Sequence, residues 1–340
     1  MQMERDRLKR FSQWMLVGML IGGLIGLVNM DLGHASEKHR FNQPSAAASL
    51  TASMIDRQPI GDIHQTNLTI TDDISAFGLT VEPDSYIPED RIIATNPTIA
   101  ARGVFVPDER QAMVSRDFPW SAVGRLEGLR ADGIYLSRCT GTLIAPDVVI
   151  TNAHCVVNDR SHQPHQAIWF EPNLIDGELQ RATDRVAVTT VFYATDFYDD
   201  PLADQQDWAL LKLNRSLGDR YGILGWRSPS VAAFDQGVFE AVSLVGYSGD
   251  FPTDNPGATA SIHLACHVLG EISDGLTHDC DSGSGASGSP LIAWAEGIPY
   301  LVGVHAGGRH NPYTNTLTTN YAISLSHLKT RLTEAINQGA

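Results

Sequence analysis

From Val104 onward the chain alternates short apolar runs with clusters of Gly, Pro, Asn and Asp. The runs are Ser121–Val123, Gly141–Ile144, Val148–Thr151, Ala187–Tyr193, Trp208–Leu213, Ala241–Val245, Pro290–Ala293 and Tyr300–Val304. Strand-length segments bounded by turn residues, with few helical periods among them, predict an all-β sandwich or barrel. The C-terminus differs: Leu325, Leu328, Leu332 and Ile336 recur at helical spacing and predict a helix over about 325–337. Ser324 or Ser326 would cap it and Gly339 would end it. Residues 36–103 are polar, Ser/Ala-rich at 45–53 and punctuated by Pro, Asp and Asn. They carry neither a sustained helical stripe nor a series of alternating strands, so they read as a pro-segment or linker.

The first residues follow a third pattern. Arg5, Arg7, Lys9 and Arg10 precede the almost uninterrupted apolar run Trp14–Met30, and Gly33-His34-Ala35 follows. Basic residues, an apolar core and small residues at a peptidase site make 1–35 a signal peptide cleaved after Ala35. Left uncleaved, the same run is just long enough to anchor the chain in a bilayer. Either way the remainder is exported, secreted or periplasmic, and membrane contact is transient unless the anchor is kept.

Composition narrows the function. Lys plus Arg is 24 against Asp plus Glu 39, a formal charge of -15, so the chain lacks the basic face of a nucleic-acid binder. With 43% hydrophobic residues it can bury a sizeable core. Four cysteines supplement such a core rather than replace it, and export places them where thiols can pair.

Three local motifs carry chemistry. Thr151-Asn152-Ala153-His154-Cys155 follows an apolar run, Asp207 directly precedes another, and Gly285-Ala286-Ser287-Gly288-Ser289-Pro290 lies in a Gly/Ser-rich loop. A serine hydroxyl needs a neighbouring base to take its proton during attack. Histidine does this near neutral pH, and a carboxylate on its far nitrogen fixes the tautomer. Glycines beside Ser287 let the Gly285 and Ser287 backbone amides converge as an oxyanion hole. The candidate catalytic residues are therefore His154, Asp207 and Ser287.

Their order, spacing and flanks resemble the chymotrypsin-fold (trypsin-like) serine proteases, nearest the bacterial glutamyl endopeptidase-like branch, from about Val104 to Leu332. The resemblance implies two six-stranded antiparallel β-barrels, about 118–215 and 225–323, within a protease domain of 104–340, with the active site between them. It implies disulfides Cys139–Cys155 and Cys266–Cys280. It also implies a precursor trimmed near Arg102–Val104, since Val104 to Arg110 is similar to a mature start in that branch. One departure stands out: Ala286 occupies the place where pancreatic-type enzymes keep the Asp that pairs with the new N-terminus and orders the oxyanion hole.

The resemblance places a specificity pocket at Asp281, Ser282 and His305, with Ala306, Gly307 and Gly308 as the edge that pairs with a peptide or protein substrate. Ser282 and His305 favour Glu or Asp at P1. Asp281, and a stretch 228–308 without Lys or Arg but with nine acidic residues, favour Lys or Arg instead. A protease-like binding protein without turnover is the rival class, and the complete set of His, Asp and Ser speaks against it. No cofactor and no metal are called for. His162 and His165 read as solvated loop histidines, Asp199, Asp200 and Asp204 as an acidic turn, and Lys329 and Arg331 as dipole-complementing residues. A monomer is expected.

Overall fold

The computed structural model describes residues 68–95, 108–130, 136–158, 161–193, 205–239, 241–273, 275–310 and 317–339. The signal segment, Arg102–Val104 and Asp199, Asp200 and Asp204 lie outside them. Among the described residues no helix is long and apolar enough to cross a membrane.

The strands are β1 (Thr69–Ile70), β2 (Gln111–Ala112), β3 (Val123–Leu129), β4 (Leu136–Ala145), β5 (Val148–Thr151), β6 (Ala167–Pro172), β7 (Val186–Tyr193) and β8 (Ala209–Leu213). A second series follows: β9 (Val242–Gly246), β10 (Ser261–Cys266), β11 (Val268–Ile272), β12 (Gly275–His278), β13 (Pro290–Ala295), β14 (Ile298–His310) and β15 (Leu317–Ile323). Helices α1 (Gly218–Tyr221) and α2 (Val231–Asp235) lie between the two series, and α3 (Ser326–Gly339) ends the chain.

Strands β3 to β8 pair antiparallel in the order β7-β6-β3-β4-β5-β8, and a β7–β8 pairing closes them into a six-stranded barrel. β5 is buried along its whole length, which is why its sequence is a continuous apolar run rather than an alternating one. The second series forms an eight-stranded sheet, β11-β12-β15-β14-β13-β9-β10-β2. It carries two strands more than a plain six-stranded barrel, one at each edge: β11, paired with β12, and β2, which comes from before the first barrel and pairs with β10. Together the two sheets make the chymotrypsin-type two-barrel fold.

One large core joins them: Trp120 of the first half meets Trp294 of the second edge to face, centroids 5.9 Å apart. α3 buries Leu328 and Leu332 in this core, with Leu325 just ahead of it, while Ile336 of the expected stripe is exposed. Ser121–Val123 is mostly a 3-10 turn, Trp120–Ala122, rather than a strand. Lys329 does more than face the helix dipole, since its Nζ bonds Glu82 Oε2 at 2.7 Å.

Glu82 belongs to the polar segment expected to be a pro-segment or linker, and residues 68–95 of that segment pack on the barrels. β1 extends the first barrel as a parallel partner of β7. A 3-10 turn, Ile74–Phe77, capped by Asp73, buries Ile74 and Phe77, and Phe77 meets Phe192 edge on. Tyr86 and Ile223 exchange backbone hydrogen bonds of 2.9 Å in each direction, and Ser85 Oγ donates to the Pro299 carbonyl at 2.7 Å. The segment thus crosses from the first barrel over the inter-barrel connection to the second sheet.

Candidate active site

His154 sits on the 3-10 turn Ala153–Cys155 that leaves β5, and Asp207 stands just before β8. β5 and β8 are antiparallel neighbours with Thr151 opposite Ala209, so their register brings the two side chains together. Asp207 Oδ1 accepts the His154 backbone N–H at 2.9 Å, and Oδ2 lies 2.7 Å from Nδ1. Asn152, fully buried, donates from Nδ2 to the Asp207 carbonyl at 2.8 Å. With Nδ1–H pointed at Asp207, Nε2 is left as the basic nitrogen of the neutral ring.

Ser287 sits in a tight turn between Gly285 (φ +95°) and Gly288 (φ +84°). A Cβ on Gly285 would lie 2.6 Å from the Tyr247 carbonyl oxygen, and one on Gly288 2.0 Å from that of Thr140. Both positions need glycine for conformation and for space. The turn is tied to both barrels: Thr140 N–H donates to the Ser287 carbonyl and Gly288 N–H to the His305 carbonyl, each at 2.8 Å. Cys155, next to His154, places Sγ 3.8 Å from the Ser287 carbonyl oxygen, so the histidine turn and the serine turn are neighbours.

Both cysteine pairs are bonded, Cys139–Cys155 and Cys266–Cys280. The first ties β4 to the His154 turn, and the second ties β10 to the segment leading into the Ser287 loop. Although Cys139, His154 and Cys155 cluster closely, the two sulfurs are bonded to each other and offer no thiolate to a metal.

In the expected pocket, His305 is buried and its Nδ1 lies 3.2 Å from His278 Nε2. The Cys280 N–H donates to His278 Nδ1, which puts the proton of a neutral His278 on Nε2 and directs it to His305 Nδ1. His305 then carries its own proton on Nε2. Burial, with the nearby His154, lowers the His305 pKa to about 4, and burial with His305 lowers that of His278 well below its usual value. Both rings are neutral at pH 7.

Asp281 is largely turned to other partners. Its Oδ2 accepts the Glu109 N–H at 2.8 Å and lies 3.3 Å from His263 Nδ1, while its own N–H donates to that nitrogen at 2.8 Å. Ser282 is half-buried. Ala306 to Gly308 lie in β14, where β13 pairs only as far as Val304 and β15 continues alongside.

His165 is not a solvated loop residue: it is buried, and its pKa falls to about 4 through desolvation first and the Arg130 charge second. His162 is exposed. Motif reading passed over Asn152, His278 and Thr140. Asn152 lay inside the quoted histidine motif, whereas His278 and Thr140 reach the site only through strand pairing.

The trypsin-family model matches residues 109–330. Among curated proteins the chain is 28% identical over 199 residues to secreted RxLR effector protein 73 of Plasmopara viticola, covering 58% of this chain and 47% of that protein. It is 24% identical over 225 residues to the extracellular metalloprotease of Bacillus subtilis (strain 168), covering 66% and 68% respectively. The chain thus spans about half the length of the first of these relatives. Among solved structures it resembles a Glu endopeptidase in complex with MPD, with a TM-score of 0.52, 22% identity, and coverage of 69% of this chain and 97% of that one. It also resembles the protease Anisep of Arthrobacter nicotinovorans, with a TM-score of 0.50, 15% identity, and coverage of 66% and 98%. At these identities the two structures bear on the fold.

Proposed function

The chain belongs to the trypsin family of serine proteases, and we propose that it hydrolyses peptide bonds through an acyl-enzyme on Ser287. The observation that carries this reading is the double contact of Asp207 with His154, set beside a serine turn that only glycines can form. Ser287 Oγ attacks the scissile carbonyl carbon while His154 Nε2 takes its proton. The carbonyl oxygen becomes an oxyanion facing the Gly285 and Ser287 N–H groups. Collapse expels the amine, which takes the proton from Nε2 and leaves the acyl group on Oγ. Water then repeats the sequence and frees the acid and Ser287. Asp207 orients the ring and stabilises the imidazolium without taking the proton.

The substrate is a peptide or protein laid along Ala306–Gly308 as an added strand. At P1 the reading is Glu or Asp. His305 Nε2–H and Ser282 would donate to the side-chain carboxylate, and the contacts of Asp281 with Glu109 and His263 support a structural role for that acid. A neutral histidine donor fits the absence of Lys and Arg from 228–308, since recognition then rests on hydrogen bonds rather than a cationic pocket. Export from the cytoplasm is supported by the two disulfides and by relatives named as secreted and extracellular.

Matched peptides differing only at P1 test this reading. The expected order of kcat/KM is Glu above Gln above Lys. Lys best would return the pocket to Asp281, and no cleavage by wild type would remove the peptidase assignment.

A further inference from the structure

Ala286 cannot supply the ion pair that orders an oxyanion hole in pancreatic-type enzymes, yet the four carbonyls from Ser284 to Ser287 are all held. The Ser284 carbonyl accepts Gly249 N–H at 2.5 Å, and the Ala286 carbonyl accepts Ser289 N–H at 2.9 Å. The Ser287 carbonyl accepts Thr140 N–H at 2.8 Å. The Gly285 carbonyl accepts the Thr140 hydroxyl at 3.1 Å. In a trans peptide the N–H points opposite the carbonyl. Holding the Ser284 and Ala286 carbonyls therefore aims the Gly285 and Ser287 N–H groups to the other side, where the oxyanion forms.

Thr140 supplies two of these four donors and is fully buried. Its Oγ1 also accepts the Tyr247 N–H at 2.9 Å, and its carbonyl accepts the Thr151 hydroxyl at 2.7 Å. The Thr140 hydroxyl thus joins the Ser287 turn to the residue after β9, while its carbonyl holds Thr151 on the strand leading to His154. We propose that the Thr140 hydroxyl is a positioning residue for the oxyanion hole, locking the Gly285–Ala286 peptide without an N-terminal ion pair. The proposal rests on the Ser287 nucleophile reading. Without the hydroxyl, the Gly285 carbonyl and the Tyr247 N–H lose their partner, and the Gly285–Ala286 peptide, which links the two peptides carrying the Gly285 and Ser287 N–H groups, can turn and draw those groups out of line.

The test compares wild type, Thr140→Ser, Thr140→Val and Ser287→Ala with one peptide substrate and a peptidyl boronic acid of the same sequence, whose tetrahedral adduct uses the hole. Circular dichroism and thermal melts check each fold. The expected result for folded Thr140→Val is a loss in kcat of about 10- to 100-fold, near-unchanged KM and a parallel loss of boronate affinity. Thr140→Ser should stay within about threefold of wild type. Wild-type kcat in Thr140→Val, a loss wholly in KM, or equal losses in the Ser and Val variants would overturn the lock. Thr140→Ala replaces Val if Val does not fold, and failure of both to fold would make Thr140 a folding element and also overturn it. Wild type as inactive as Ser287→Ala would instead overturn the nucleophile reading.

Discussion

Asp207 grips His154 at two points, Oδ1 on the backbone N–H and Oδ2 on Nδ1, so one carboxylate fixes both the turn and the ring. Asp207→Asn can keep the first contact through its amide oxygen, but it offers Nδ1 an NH2 group. Nδ1 must then accept, and the proton moves to Nε2, where the base is needed. The expected outcome is a melting temperature within a few degrees of wild type and kcat lower by about 1,000- to 10,000-fold. Steady-state kinetics beside a thermal melt check this, and a loss under tenfold would contradict the pairing.

Glycine replacements should split into two classes. Gly288→Ala would place a Cβ 2.0 Å from the Thr140 carbonyl oxygen and 2.2 Å from Thr151 Oγ1. Backbone cannot yield there, so activity should fall more than about 100-fold. Gly297→Ala, at φ +79° with nothing within 4 Å, should lose only about 1 kcal/mol and keep its activity. Equal effects in the two variants would show that crowding at the serine turn is not what matters.

Acid should weaken the fold through buried histidines. His165 and His305 titrate at about 4 when folded, against 6.5 unfolded, and His278 lies well below 6.5. For a depressed histidine the unfolded chain binds the proton first, so the stability is fully present above pH 6.5 and drains as pH falls toward 4. At pH 5 the cost is roughly 2 kcal/mol per histidine. Thermal melts of Ser287→Ala, which prevents autolysis, should drop steadily between pH 7 and pH 5. A flat melting temperature over that range would contradict the neutral pair.

Residues 68–95 should matter to stability. Removing them uncovers the surface against Ile74 and Phe77 and breaks the Lys329–Glu82 pair. Burial of two such side chains is worth several kcal/mol. A protein starting at residue 104 should therefore melt more than about 10 °C below one starting at residue 68, and a synthetic 68–95 peptide should restore part of the difference. Identical melts would make the segment a passenger.

The candidate site was legible in the sequence because its residues sit in short contiguous motifs. His154 and Ser287 each carry their own flanks, and Asp207 is marked by the strand it precedes. β5 and β8 were visible as apolar runs for the same reason, being buried on both faces. β12 was not: its Gly-Leu-Thr-His buries a histidine and a threonine through partners, not through hydrophobicity. The packing of 68–95 was also hidden, since Ile74 and Phe77 are isolated anchors in a polar segment without a period. Thr140 and His278 are ordinary strand residues until folding brings Thr140 to the serine turn and His278 to His305.

The most direct measurement is covalent labelling of the purified protein with a fluorophosphonate, followed by peptide mapping. The expected result is one adduct per molecule, on Ser287, with peptidase activity lost in step with labelling and no adduct in Ser287→Ala. An adduct on another residue, or full labelling of Ser287 with activity intact, would contradict the assignment of the nucleophile.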